Sequence, residues 1–399
     1  MTKAEQKILN FIQQNILILF LGAVTILGIL LRCFGLDFQS DDFNSFLNPW
    51  WSKIEQGGIQ GLANQVGNYN IPYQIITYIL TLLPFSALHS YKLLSIFFDI
   101  VLSASAAMLV HSFAQSSKML KSVVAYSLTF CSITVILNSA FWAQCDSIYV
   151  AFILLSVYFL KKEKNIASFV FIGIAFAFKL QTVFIIPFFL FYYVCTRKIS
   201  ILHFFIIPVV DFLMCLPAVL LGRPIWDIIN IYLVQTDYGK LIQMNCPNFY
   251  ALICNGNDMT YYYQFKTFSV ILTFALLAGA LFLAIYKKTD MSNNKNIMLT
   301  IIWTVFTCIM FLSSMHERYA YLLDIMLLIY SVAAAKRFWL PIACTLISLR
   351  GYCFYLFSYD VLDIKLTAII YMAIYVYVTL VFVKEVILNR KPHKLCVQG

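Results

Sequence analysis

The chain has 399 residues, of which 62% are hydrophobic and 12% charged, and its mean hydropathy is +0.83. Soluble globular proteins carry about 45–50% apolar and about 25% charged residues, so this composition excludes a soluble enzyme, a disordered chain and a nucleic-acid-binding domain. The formal net charge of +10 (28 Lys+Arg against 18 Asp+Glu) in so apolar a chain is first a topology signal. The reading is an all-α polytopic membrane protein, one membrane-embedded domain over 1–399.

A helix crosses the hydrocarbon with about 20 apolar residues. The first predicted crossing is 15–34, whose apolar run is too long for a signal peptide and carries no small-residue cleavage site, so no removal is expected. A long loop follows, 35–91. Within it Phe43, Phe46, Leu47, Trp50, Trp51 and Ile54 recur at helical spacing, which predicts an amphipathic helix over 43–55 lying in the interface, where tryptophan is favoured. Asp42 falls at its start, where a helix N-terminus favours negative charge. Segment 72–88 is apolar and is read as re-entrant or interfacial. Further crossings are predicted at 92–113, 122–140, 146–161, 166–179, 181–195, 201–221, 266–286, 296–314, 318–335, 337–357 and 364–384, twelve in all, with a second long loop at 222–265.

Charge decides the placement of 72–88. With it left out of the count, one face holds Lys3, Lys7, Lys118, Lys121, Lys161, Lys162, Lys164, Arg197, Lys198, Lys287, Lys288, Lys295, Lys336, Arg337 and the basic run from Lys384 to Lys394. Those loops are short and positive, as inner loops are. Both termini are then expected inside. The outer face collects Asp37, Asp41, Asp42, Glu55, Asp146, Asp227, Asp237, Asp258, Glu317, Asp360 and Asp363. If 72–88 crossed, every later loop would invert. The 11 cysteines show no CxxC and no metal-ligand spacing; Cys246 and Cys254 share an outer loop and are the candidate disulfide pair.

Four polar clusters fall at or near outer ends of crossings: Asp41-Asp42; Trp142-Ala143-Gln144-Cys145-Asp146; Lys179-Leu180-Gln181; and His316-Glu317-Arg318-Tyr319. Carboxylates and cations at that depth suit a lipid-phosphate donor. Arg or Lys pairs with the phosphate, and a carboxylate deprotonates an incoming hydroxyl as general base. Each residue also has a structural alternative. Asp41, Asp42 or Asp146 can cap a helix, Lys179 can snorkel, and Arg318 can pair with a nearby acid. Asp99, Asp211 and Asp324 lie inside predicted crossings, where ionisable groups are functional candidates by default. There is no Gly-rich phosphate loop, HExxH or GxSxG, which disfavours nucleotide-driven pumps and ordinary hydrolases.

Several stretches carry a resemblance: SDDFNSFLNPWW (40–51), GNYNIPY (67–73), NSAFWAQCDSIYVAFILLSVYFL (138–160), IGIAFAFKLQTVFIIPFFL (172–190), GRPIWDIINIYLVQ (222–235), NCPNFY (245–250) and MHERYAYLLDI (315–325). In this order they resemble the bacterial membrane glycosyltransferases similar to the GPI-anchor second mannosyltransferase, in the GT-C superfamily. NYNIPY also looks like the DYPP segment of dolichyl-phosphate-glucose glucosyltransferases. The resemblance implies a GT-C-like bundle with its active site on the outer face, a polyprenyl-phosphate sugar donor, an inverting transfer and a catalytic acid in the first outer loop. The family pattern there is a small residue, Asp, then an aromatic; it maps to Asp42 before Phe43, with Asp41 in the small position. Ala143 stands where the family more often has Gly.

The expectation is a hexosyltransferase, possibly a mannosyltransferase, passing a sugar from undecaprenyl- or dolichyl-phosphate to a hydroxyl of a lipid-linked or surface glycan in a bacterial plasma membrane. Asp42, with Asp41 and Asp146, is assigned to catalysis. Arg318, His316, Lys179 and Gln181 are assigned to the donor phosphate, and Trp142, Gln144, Glu317, Tyr69 and Asn70 to acceptor or sugar. No metal or other cofactor and no nucleic acid is expected. The competing class is a transporter or flippase of lipid-linked sugars, with Asp99, Asp211 and Asp324 as relay acids. A non-catalytic partner presenting lipid-linked sugar is a third reading.

Overall fold

A computed structural model describes residues 1–236, 239–254 and 259–388; Asp237, Asp258 and the basic residues from Arg390 to Lys394 lie outside the described residues. Among the described residues all regular structure is helical, apart from isolated bridges joining Met244 and Asn245 to His316.

The elements are α1 (Lys3–Cys33), α2 (Asn48–Gly57), α3 (Ile71–Thr81), α4 (Ala87–Phe113), α5 (Lys118–Phe130), α6 (Ile133–Ile136), α7 (Asp146–Lys161), α8 (Asn165–Phe178), α9 (Ile186–Thr196), α10 (Ile206–Leu220), α11 (Trp226–Thr236), α12 (Phe249–Ile253), α13 (Tyr262–Tyr286), α14 (Asn294–Phe311), α15 (Tyr321–Ala334), α16 (Trp339–Phe357) and α17 (Ile364–Phe382). Among the described residues seven helical stretches are long and apolar enough to cross a membrane: α1, α4, α10 with the 3-10 turn before it, α13, α14, α16 and α17 with the π turn after it. The pair 118–130 and 133–141, bent by 47° at Cys131-Ser132, makes eight if it is one span. By length and composition this is a multi-pass membrane protein. The four other expected crossings are also helices, but shorter ones: α7, α8, α15 and Leu180–Thr196. Helix α3 has 11 residues, about 16 Å of rise against about 30 Å of hydrocarbon.

The chain divides into two compact units. The first comprises Met1–Lys179, Pro208–Gln235 and Ser331–Lys336. Its centre is α7, which packs along α4 and α8, while α4 also packs along α5. Buried Asp99 on α4 ties these helices together. It accepts from Arg32 Nε (2.9 Å) and Nη2 (2.8 Å) at the end of α1, from Ser139 Oγ (2.5 Å), and from Ser147 on α7. Removing one partner of such a buried pair costs about 3–5 kcal/mol. Buried Lys92, also on α4, donates to the carbonyls of Gly35 (2.6 Å), Leu36 (3.0 Å) and Phe38. It thereby fixes the chain as it leaves α1 toward Asp42.

The second unit comprises Leu180–Ile207, Thr236–Tyr330 and Arg337–Gly399. Its centre is α14, buried along its length from Asn296 to Met310 and packed by α9, α13 and α17. Its outer helices keep apolar side chains outward, as Phe274 (72% exposed) on α13 does; a bilayer, not water, suits that surface. Cys246 and Cys254 are both buried and are not joined to each other, so the candidate disulfide is not formed.

The amphipathic segment of the first loop is helical, as its spacing predicts, and its apolar stripe is covered by protein. Phe43–Leu47 is one π turn and α2 continues it. Phe43, Leu47, Trp51 and Ile54 are buried, and the first three join a core with Tyr73, Leu88, Tyr91, Ile148 and Phe178. The apolar stripe packs inward on α3, α4, α7 and α8.

Candidate functional site

Asp42 opens the π turn, yet its carboxylate caps nothing. Ser40 does that, its Oγ accepting from Phe43 N at 3.2 Å. Asp42 Oδ2 instead accepts from Trp142 Nε1 (2.8 Å) and Gln144 Nε2 (3.0 Å), across 100 and 102 residues of sequence. Asp41 is exposed and Asp42 half-buried. The structure therefore places the two neighbouring carboxylates in different surroundings.

The donors reach Asp42 because their turn is built for it. A second π turn, Leu137–Phe141, ends at Trp142. Ala143 then takes a left-handed φ of +61°, which reverses the chain, and Trp142 and Ala143 are both fully buried. π turns are rare and concentrate at functional sites; here one follows Asp42 and another precedes Trp142. Gln144 is buried, and its Oε1 accepts from Tyr69 OH at 2.9 Å. Tyr69 lies edge-on to Trp50 (5.2 Å) and Tyr73 (4.9 Å). Burial, followed by the nearby Cys145 and Tyr69, pushes the Tyr73 phenol well above its ordinary range.

Asp146, the first residue of α7, is 1% exposed. Its Oδ2 accepts from Asn138 Nδ2 at 2.8 Å, and its Oδ1 accepts from Lys179 Nζ. Lys179, assigned above to the donor phosphate, is 8% exposed with its amine on Asp146. The Lys179 amine is thus paired with a carboxylate of the same unit. Asn70 is buried too, and its amide donates to the Ala177 carbonyl at 3.1 Å and to Tyr232 OH at 3.2 Å.

The second unit carries the other candidates. Glu317 is 5% exposed, with Oε1 3.9 Å from His316 Nδ1 and 3.6 Å from Arg318 Nη1. A Cβ at Gly351 would fall 2.5 Å from the Glu317 Cβ, so α16 approaches this turn as closely as glycine permits. Beside it Arg350 donates to Asn245 Oδ1 (2.7 Å) and Asp360 Oδ1 (2.8 Å). Gln181 lies in the 3-10 turn Leu180–Ile185 of the same unit.

Sequence reasoning missed Arg32, Lys92, Asn138, Arg223 and Arg350 as organising residues. Arg32, Lys92 and Arg350 had a signal: cations within or bordering apolar helices are expensive and hence functional or paired. Among the described residues no three His, Cys, Asp or Glu side chains gather as a metal-holding group. Neither the models of known protein families nor the curated proteins include a match to this chain.

Proposed function

We propose that the chain is a membrane glycosyltransferase of the GT-C type, moving a sugar from a polyprenyl-phosphate donor to a hydroxyl of a lipid-linked or surface glycan. The observation that carries this reading is the carboxylate of Asp42. It is not used as a helix cap, and it is held by Trp142 and Gln144 from the WAQCD turn. A half-buried carboxylate oriented by two donors suits a general base better than a surface charge does.

In the reaction, Asp42 takes the proton of the acceptor hydroxyl. The acceptor oxygen forms its bond to the anomeric carbon as the bond from that carbon to the phosphate oxygen breaks. The polyprenyl phosphate leaves with the electron pair, so no general acid is required, and the anomeric centre inverts. Arg318 and His316 are assigned to the donor phosphate on their chemistry, with Gln181 as polar support; Trp142, Gln144, Tyr69 and Glu317 serve the acceptor or sugar. Asp146 and Lys179 support the Trp142–Gln144 turn as an internal pair.

The finer topology belongs to the same proposal. Twelve crossings arise if α7, α8, α15 and Leu180–Thr196 also cross, which local bilayer thinning and tight packing allow for short helices. Helix α3 is then re-entrant, loops 35–91 and 222–265 are outside, and the membrane is a bacterial plasma membrane. The relay acids of the transporter reading gain no support. Asp99 is held by Arg32 and two serines, Asp211 accepts from Tyr232 OH, and Asp324 accepts from Ser348 Oγ at 2.6 Å.

The test incubates purified protein in lipid with radiolabelled polyprenyl-phosphate sugars and a lipid-linked glycan fraction. Label moving onto the glycan is the expected result. Label that crosses sealed vesicles without joining any glycan contradicts the proposal and favours a transporter.

A further inference from the structure

Residues 64–70 have no regular secondary structure, yet Tyr69 within them orients Gln144 and so Asp42. Asp42, when ionised, only accepts hydrogen bonds. The Gln144 NH2 must therefore face it, and Tyr69 OH must donate to the Gln144 carbonyl. Without that hydroxyl the Gln144 carbonyl loses this donor, and the Tyr69 hold on the amide is gone. The position of Tyr69 thus decides the geometry of the base.

Three side chains from 222–235 reach this loop. Gln235 Nε2 lies 2.7 Å from the Asn68 carbonyl and 2.6 Å from Asn70 Oδ1, gripping the residues on either side of Tyr69. Asn70 Nδ2 reaches Tyr232 OH at 3.2 Å, and Tyr232 OH donates to Asp211 Oδ1 at 3.1 Å. The Tyr232 ring stacks on Phe176 at 4.5 Å, which fixes where the hydroxyl sits. Arg223, 2% exposed, makes the second attachment. It donates to Gln74 Oε1 (3.1 Å) and to Gln65 Oε1, and Gln65 Nε2 in turn donates to the carbonyl of Tyr69 at 2.9 Å. Gly67, at φ +69°, lies under the Trp50 indole, which occupies the place of a Cβ. Every residue in this chain of contacts lies in the first unit.

We infer that Gln235, Tyr232 and Arg223 form a latch that positions Tyr69, and through Gln144 sets the catalytic carboxylate Asp42. They are positioning residues, and the inference rests on the glycosyltransferase reading. It gives GRPIWDIINIYLVQ a task that no catalytic or binding assignment has given it.

The test compares native protein with Gln235→Met, Tyr232→Phe, Tyr69→Phe and the double variant Gln235→Met/Tyr69→Phe. The first keeps volume and removes the donor; the second keeps the stacked ring. Each single change is expected to lower kcat about tenfold with donor KM unchanged, about the effect of one lost hydrogen bond. The double variant is expected to fall no further than the worse single, since both break one chain. Amide exchange at 64–70 is expected to quicken in Gln235→Met and not in Tyr69→Phe. Native kcat in Gln235→Met and Tyr232→Phe, or multiplying losses in the double variant, overturns the latch while the transferase reading stands. A native protein inert toward every donor overturns that reading and, with it, the latch's part in transfer. Unchanged exchange in Gln235→Met overturns the latch whatever the activity.

Discussion

Asp41 and Asp42 are neighbours of the same chemical type in different surroundings. Asp41 is exposed, whereas Asp42 receives Trp142 and Gln144. Surface substitutions usually fall within about 0.5 kcal/mol, so Asp41→Asn should leave transfer within about twofold of native. Loss of a general base costs about 10²–10⁴ in rate, and Asp42→Asn should lie in that range with membrane insertion unchanged. Ala143 poses a different question at this scale. Its φ of +61° costs an L-residue about 1–2 kcal/mol. Glycine relieves that strain but loses a buried methyl worth about 0.8 kcal/mol and adds unfolded-chain freedom worth about 0.4–1 kcal/mol. Ala143→Gly should therefore leave apparent thermal stability within about 1 kcal/mol. Ala143→Val, strained and overpacked in a buried turn, should lose more than about 2 kcal/mol. Unfolding of the detergent-solubilised variants measures both. The preference for Asp42 over Asp41 was legible only through a resemblance; its partners were not, because they lie 100 and 102 residues away.

At the scale of elements, the pair joining α7 to the end of α8 is the decisive case. Lys179 beside Gln181 reads in the sequence as a cation at a helix end. Packing turned it toward Asp146 and buried both. Lys179→Met should destabilise by about 3–5 kcal/mol by stranding a buried carboxylate. Lys179→Met/Asp146→Leu should recover part of that loss, because an apolar pair carries no desolvation penalty. If Lys179 served the donor phosphate instead, Lys179→Met would fold normally, and the double variant would recover no activity. The amphipathic stripe of 43–54 was legible as a stripe. What it packs against was not, since periodicity gives a buried face and not its partner.

At the scale of the molecule, the long apolar helices were legible because hydrocarbon thickness fixes their length. The shorter ones fall below that length, so composition alone does not decide whether they cross. The charge pattern makes a prediction that does. In a background with the 11 native cysteines replaced, cysteines at 163 and 288 should label from one side of sealed vesicles, and cysteines at 60 and 361 from the other. Labelling of 60 and 288 from the same side would contradict the twelve-crossing topology. The most direct measurement of the central claim is the rate of sugar transfer from a reactive polyprenyl-phosphate donor by native protein, Asp41→Asn and Asp42→Asn, each shown to be inserted and folded. The account predicts near-native transfer for Asp41→Asn and loss of about 10²-fold or more for Asp42→Asn. Equal activity in the two variants, or loss only in Asp41→Asn, would contradict it.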